Sequence, residues 1–415
     1  MDLDVIEKLK QYGRQTRKAA GEGKFNSGIV HVQNPARGVS EQVRAGLDME
    51  DIVDGEIYQD EEGQCFIVEN RYPLSYLYGG CCLGDVAASI DSFSLKRLCP
   101  DLCPDISAYD NINKFLFLDI ETTGLSGGVG TVAFLVGTGF FEDDSFVVRQ
   151  YFMRDYDEEI TMLNALNLLL RSYNGLVTFN GKAFDLNIIR TRYTYNRIRF
   201  GLDEEEPGHI DLLLLSRRIW KGKLESCALS SLEENILGES RIGDIPGALI
   251  PQVYFKYVID RDAREIKRVM KHNELDILSM VALLNKINSM LNNPISESDC
   301  EYELIGIGKM LESAGEPGMV VECFKKCIKS EDPIAKYVAL KKLSQIYKRE
   351  GNYTEAVKYW EIMAHNQDFF SMFSLVELAK YYEHRAKCID KAIEMTEKAI
   401  RSEEHTSELQ SRFCI

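Results

Sequence analysis

Residues 115–121 read Phe-Leu-Phe-Leu-Asp-Ile-Glu, an apolar run of the kind a strand buries on both faces, yet it carries two acids. Side chains alternate along a strand with a period of two, so Asp119 and Glu121 project from the same face. A lone carboxylate in a low-dielectric interior is costly unless it is paired or coordinates a metal, and a like charge beside it adds to the cost. A chain that folds around this strand must therefore bring a counter-charge from elsewhere.

With 415 residues there is room for two or three domains, each with its own core. The formal charge of −16 argues against a protein that coats nucleic acid through bulk electrostatics, while leaving a local binding site open. No apolar run reaches membrane-spanning length, and the opening MDLDVIEKLKQYGRQTRK lacks a hydrophobic signal core. A cytoplasmic protein with no membrane partner is expected. The eleven cysteines are an odd number. Cys81, Cys82, Cys99 and Cys103 fit the spacing of paired zinc knuckles poorly and are read as free thiols.

Residues 1–62 suggest an N-terminal helix and a weakly ordered linker, and 63–113 an extension that packs on the domain beginning at Lys114. From Lys114 the pattern sharpens. KFLFLDI, GTVAFLVGTGFF and SFVVRQYFM read as three strands, the last two joined by a turn at EDD. EEITMLNALNLLLRSY has helical apolar spacing, GLVTFN is a short strand, AFDLNIIRTRYTY opens a helix, and mostly helical segments come after an acidic loop at 203–208. This order, over residues 114–290, is that of an α/β ribonuclease-H-like domain: a mixed sheet flanked by helices.

Residues 298–400 change character. Aligning Phe324 with Trp360 sets Gly308 against Ser344, Leu311 against Tyr347 and Val320 against Ala356, with a third copy at Ala379 and Tyr382. The spacing of about 36 residues is close to the tetratricopeptide period of about 34, so an all-α array of helical hairpins is expected, with a surface for a possible protein partner. RSEEHTSELQS, residues 401–411, resembles the in-frame translation of a common sequencing adaptor. The expectation is that the natural chain continues past Ile400, and no function is read from residues 401–415.

Two further acids stand in informative settings. Asp185 follows a strand and opens a helix, five residues after Asn180. Asp276 lies four residues after His272 on a long helix, which puts both on one face. The order Asp119-x-Glu121, then Asn180-Gly181-x-x-Phe184-Asp185, then His272-x3-Asp276 resembles the DEDD 3′→5′ exonuclease superfamily, most closely its YprB-like branch. HIDLLLLSRRIW, SCALSSLEENILG and DIPGALIPQVYFKYV resemble that branch too, and the likeness spans roughly residues 63–400.

The resemblance implies that Asp119, Glu121, Asp185 and Asp276 hold two divalent ions, Mg²⁺ or Mn²⁺, about 3.5–4 Å apart. One ion would activate the attacking water and the other would stabilise the departing 3′ oxygen, with His272 orienting or deprotonating the water. The superfamily's histidine usually stands five residues before the last acid and its tyrosine four, so His272 is a histidine at the tyrosine spacing. The implied activity is hydrolysis of single-stranded DNA or RNA to nucleoside 5′-monophosphates. A structure-specific endonuclease on the same centre, or a non-catalytic scaffold organised by the repeats, are the alternatives. Asp185 could instead only cap its helix, and Asp211 is read as a helix-start acid. Thr122 and Asn180 are placed with the substrate, or Thr122 with a turn. RTRYTYNRIRF interleaves four arginines with three aromatics, so Arg190 and Arg192 are read as contacts to a single strand, or as part of a solvated helix face.

Overall fold

The computed structural model describes residues 47–100, 110–124, 130–202, 208–365 and 371–412, with side chains as far as Arg401. The expected N-terminal helix, most of the linker, Cys103 and residues 203–207 of the acidic loop lie outside the described residues.

Among the described residues, seven strands form one mixed sheet: β1 (Glu56–Gln59), β2 (Gln64–Pro73), β5 (Phe115–Thr122), β6 (Ala133–Glu142), β7 (Ser145–Phe152), β8 (Gly175–Thr178) and β9 (Gly208–Asp211). A separate ribbon pairs β3 (Leu77–Tyr78) with β4 (Cys81–Cys82). The sheet order is β1-β2-β7-β6-β5-β8-β9, with β5 antiparallel to β6 and parallel to β8. Asp143, at φ +49°, turns β6 into β7, where EDD suggested a hairpin. The sheet also begins before Lys114. β2 pairs with β7 from Phe66 to Pro73, so the expected extension is built into the sheet and not only laid against it. The four-residue β9 falls in a stretch that reads as helical, because so short a strand is specified by its neighbour β8 more than by its own pattern.

The longer helices are α1 (Leu83–Ser89), α2 (Ser92–Leu98), α3 (Glu159–Leu170), α4 (Asp185–Tyr195), α5 (Leu212–Trp220), α6 (Ile250–Asp260) and α7 (Arg264–Asn292). They cover both sheet faces. Leu116, Leu118 and Ile120 of β5 join one core with Leu166 of α3, Ile189 of α4 and Tyr254 of α6. Phe115 and Phe117 point the other way, into a core with Leu95 of α2 and Trp220 of α5. Asp119 and Glu121 continue that second row in the strand's alternation.

Helix α7 passes from one core to the other. Ile266, Val269 and Met270 belong to the first, and Ile277 through Leu291 to the second. Two glycines of β6 let it lie close to the sheet. A Cβ on Gly137 would stand 2.1 Å from Asn273 Oδ1, and one on Gly139 2.5 Å from Ile277 Cγ2.

The C-terminal region is the expected helical array: α8 (Glu301–Ser313), α9 (Pro317–Cys327), α10 (Pro333–Arg349), α11 (Tyr353–His365), α12 (Ser371–His384) and α13 (Ile389–Arg412). The aligned positions Val320, Phe324, Ala356 and Trp360 are all buried, as a shared stripe between paired helices requires. The array is joined firmly to the sheet domain. Gly306 of α8 lies so close to α5 that a Cβ would stand 2.3 Å from the Arg218 carbonyl, and Trp220 Nε1 donates to Glu303 Oε1 at 3.0 Å.

Candidate active site

Strand β5 delivers Asp119 and Glu121, the first turn of α4 delivers Asp185, and the middle of α7 delivers His272 and Asp276. Asp185 is buried, and its Oδ1 accepts from the backbone N–H of Ile120, the residue between the two β5 acids, at 3.3 Å. His272 Nε2 lies 3.9 Å from Glu121 Oε1 and 3.7 Å from Asp276 Oδ2. One donor atom from each of Glu121, His272 and Asp276 lies within 4.8 Å of the others, close enough to share one cation.

The carboxylates repel one another. Burial is the main reason that Asp119 and Glu121 are held well above the usual carboxylate range, and the charges of Asp276 and Asp185 push both further up. Asp185 is pushed up to about 7, first by burial and then by Asp211 and Asp276, against the opposing pull of backbone donors. Acids held near one another in this way would lose their protons to solvent when a divalent cation binds between them. A cluster of carboxylate donors of this kind fits a divalent cation.

Other partners, which sequence reasoning missed, orient this group. Asn273 Nδ2 donates to Asp119 Oδ2 at 2.8 Å. Asp244 Oδ2 lies 2.7 Å from His272 Nδ1. A carboxylate only accepts, so Asp244 keeps a proton on Nδ1 and leaves the Nε2 lone pair facing Glu121 and Asp276. Burial alone would raise Asp244, but its bond to His272 holds it below the usual range. Arg241 Nη2 lies 2.5 Å from Asp276 Oδ1 and also pairs with Glu233. A cavity of about 470 Å³ is lined by Glu233, Arg241, Asp244, His272 and Asp276, among others.

Residues 116–288 match the family described as the RNase_H superfamily. Across 365 residues the chain is 31% identical to the uncharacterized protein YprB of Bacillus subtilis strain 168, covering 86% of each sequence. The chain belongs to the YprB family. Among solved structures, the family B DNA polymerase of the hyperthermophilic archaeon Pyrobaculum calidifontis aligns with 51% of this chain and 29% of its own at 14% identity and a TM-score of 0.35, too slight a likeness to carry weight. The RNase H superfamily domain supports a nucleic-acid-cleaving role for this YprB-family chain.

The remaining sequence candidates scatter. Thr122 is buried and its hydroxyl donates to the Gly124 carbonyl at 2.7 Å, the turn-forming use. Asn180 stands at φ +66°, and its N–H donates to Asp211 Oδ1 at 3.0 Å. Asp211 also accepts from Lys182 N and caps α5 through Leu213 N, so it organises the Asn180–Asp185 turn as a helix-start acid. Arg190 is exposed, with its guanidinium 5.6 Å from the centre of the Phe200 ring. Arg192 turns inward. It is buried and forms a two-pronged pair with Glu159, both contacts 2.6 Å. The interleaved stretch therefore does not present its arginines as one row.

Proposed function

We propose that this protein is a divalent-metal-dependent 3′→5′ exonuclease that hydrolyses single-stranded DNA or RNA to nucleoside 5′-monophosphates. The observation that carries the reading is the convergence of Glu121, His272 and Asp276 within 4.8 Å, with Asp119 and Asp185 alongside on the same strand and its neighbouring helix. Asp119, Glu121, Asp185 and Asp276 are the oxygen donors that would hold the ions, with His272 Nε2 left outside the ligand set as a base. Bound there, divalent metal would lower the pKa of a water and neutralise charge building on the phosphate.

The chain's own groups do the rest. Asp244 holds the His272 ring so that Nε2 faces the acids, ready to accept a proton from the attacking water. Asn273 fixes the rotamer of Asp119, and the Ile120 N–H fixes that of Asp185. Preorganised donors of this kind avoid reorganisation during the reaction.

Digestion of end-labelled DNA and RNA oligonucleotides by the purified chain, with Mg²⁺ or Mn²⁺ and with EDTA, tests the reading. A ladder of mononucleotide steps from the 3′ end, lost in Asp119→Asn, is the expected result. Attack on a circular single strand would replace exonuclease by endonuclease, and undiminished degradation by Asp119→Asn would remove the metal site from the reaction.

A further inference from the structure

Arg241 carries a guanidinium seated among the acids of this cavity. Its guanidinium is nearly nine-tenths buried, with a relative side-chain exposure of 11%. Nη2 bonds Asp276 Oδ1 at 2.5 Å and pairs with Glu233, while Nη1 reaches Asp244 Oδ2 at 3.4 Å and the His272 carbonyl at 3.5 Å. Nε has no hydrogen-bond partner among the described residues. Asp276 is thus divided between two uses. Its Oδ1 belongs to Arg241, and its Oδ2 faces His272 Nε2 and, beyond it, Glu121.

Elementary electrostatics gives this arrangement two consequences. A carboxylate with one oxygen held by guanidinium offers a cation the other oxygen alone, so Asp276 is restricted to single-oxygen ligation. A fixed positive charge a few ångströms away also repels an incoming divalent ion, and in a partly buried cavity that repulsion is weakly screened. Glu233 sits on the far side of Arg241 as a second acid to which the guanidinium is already tied. Burial holds Glu233 above the usual carboxylate range, only partly countered by the charge of Arg241 and the bonds from the Ser279 hydroxyl and Arg241. Arg241 therefore spans a carboxylate inside the candidate metal set and one outside it.

We infer that Arg241 is a positioning residue that sets divalent-ion affinity: it holds Asp276 to one available oxygen and keeps ion uptake on the Asp276 side weak and reversible. The inference rests on the metal-dependent reading above, and it concerns only this chain's side chains and their competition with a cation.

The test is Mn²⁺ binding to the full chain, measured by calorimetry or by the electron-paramagnetic signal of free Mn²⁺, with no substrate present. Arg241→Gln should bind Mn²⁺ at least about tenfold more tightly than the unaltered chain, because one positive charge beside the acids is gone. Arg241→Lys, which keeps the charge, should stay within about threefold of the unaltered chain. Glu233→Gln frees the guanidinium for Asp276 and should weaken binding by at least about threefold, which keeps the inference testable if Arg241→Gln does not fold. Equal or weaker Mn²⁺ binding by folded Arg241→Gln, or unchanged binding by Glu233→Gln, overturns the inference and leaves the nuclease reading standing. Tighter binding by Arg241→Gln, where the unaltered chain cleaves no oligonucleotide, supports the inference and removes the nuclease reading. An unaltered chain that takes up no Mn²⁺ removes both.

Discussion

The amide of Asn273 donates to Asp119 Oδ2 at 2.8 Å, and its orientation is set from behind by Gln150, whose Nε2 donates to Asn273 Oδ1 at 2.7 Å. Both amides are essentially fully buried. The line Gln150–Asn273–Asp119 crosses from β7 through α7 to β5, and the absence of a side chain at Gly137 leaves room for it.

Gly137→Ala drives a methyl group into the Asn273 amide. Overpacking of this kind costs about 1–3 kcal/mol, and here it also releases Asp119 from its donor. Urea denaturation should show that loss, and cleavage should fall at least about tenfold at saturating Mn²⁺, since misplacing one ligand degrades the geometry on which the chemistry depends.

Removing one acid from the cluster should separate stability from activity. Asp119→Asn keeps an acceptor for Asn273 but removes a buried charge that its neighbours repel. In EDTA the variant should unfold at the same temperature as the unaltered chain or higher. Mn²⁺ at a hundred times its dissociation constant should stabilise the unaltered chain by about 2.7 kcal/mol, and the variant much less. Thermal melts with and without metal check both expectations.

Arg190 and Arg192 should behave in opposite ways. Arg192→Met leaves Glu159 as a buried, unpaired acid, a change that costs about 3–5 kcal/mol. Arg190→Ala alters an exposed position whose guanidinium lies over the Phe200 ring and should cost no more than about 1 kcal/mol. If Arg190 contacts the strand, that variant raises KM for an oligonucleotide and leaves kcat in place. Chemical denaturation and steady-state kinetics on the two variants distinguish the structural arginine from the substrate-facing one.

His209 supplies a pH signature. Burial lowers it from the ordinary histidine range to about 4, helped by the charge of Lys182, and its Nε2 lies 2.8 Å from the Thr178 hydroxyl. Because the folded pKa is depressed, the unfolded chain binds the proton first as pH falls. The stabilising contribution is complete above about pH 6.5 and is lost between there and about pH 4, at a cost on the order of 3 kcal/mol. His209→Asn should flatten that part of the stability–pH curve, as measured by denaturation at a series of pH values.

Local periodicity carried much of the architecture. The order of β5, β6, β7, α3, β8 and α4 can be read from the sequence, because each alternates or repeats over enough residues to declare itself. β1 and β9 are different, since strands of four residues are defined by the partners that complete their hydrogen bonds. The inward turn of Arg192 was equally out of reach. α4 has arginines and aromatics on more than one face, and packing against Glu159 of α3 decides which of them is buried.

For the site itself, two short-range rules sufficed for part of it: the period of two puts Asp119 and Glu121 on one face of β5, and the spacing of four puts His272 and Asp276 on one face of α7. Both rules act within a single element, so one sequence determines them. That Asp244 steadies His272, that Arg241 holds Asp276, and that Gln150 aims Asn273 at Asp119 were decided by the tertiary structure alone. Those contacts join separate elements, and the last of them exists because Gly137 in β6 leaves room for Asn273 of α7 against the sheet, where side chains remote in sequence reach one another.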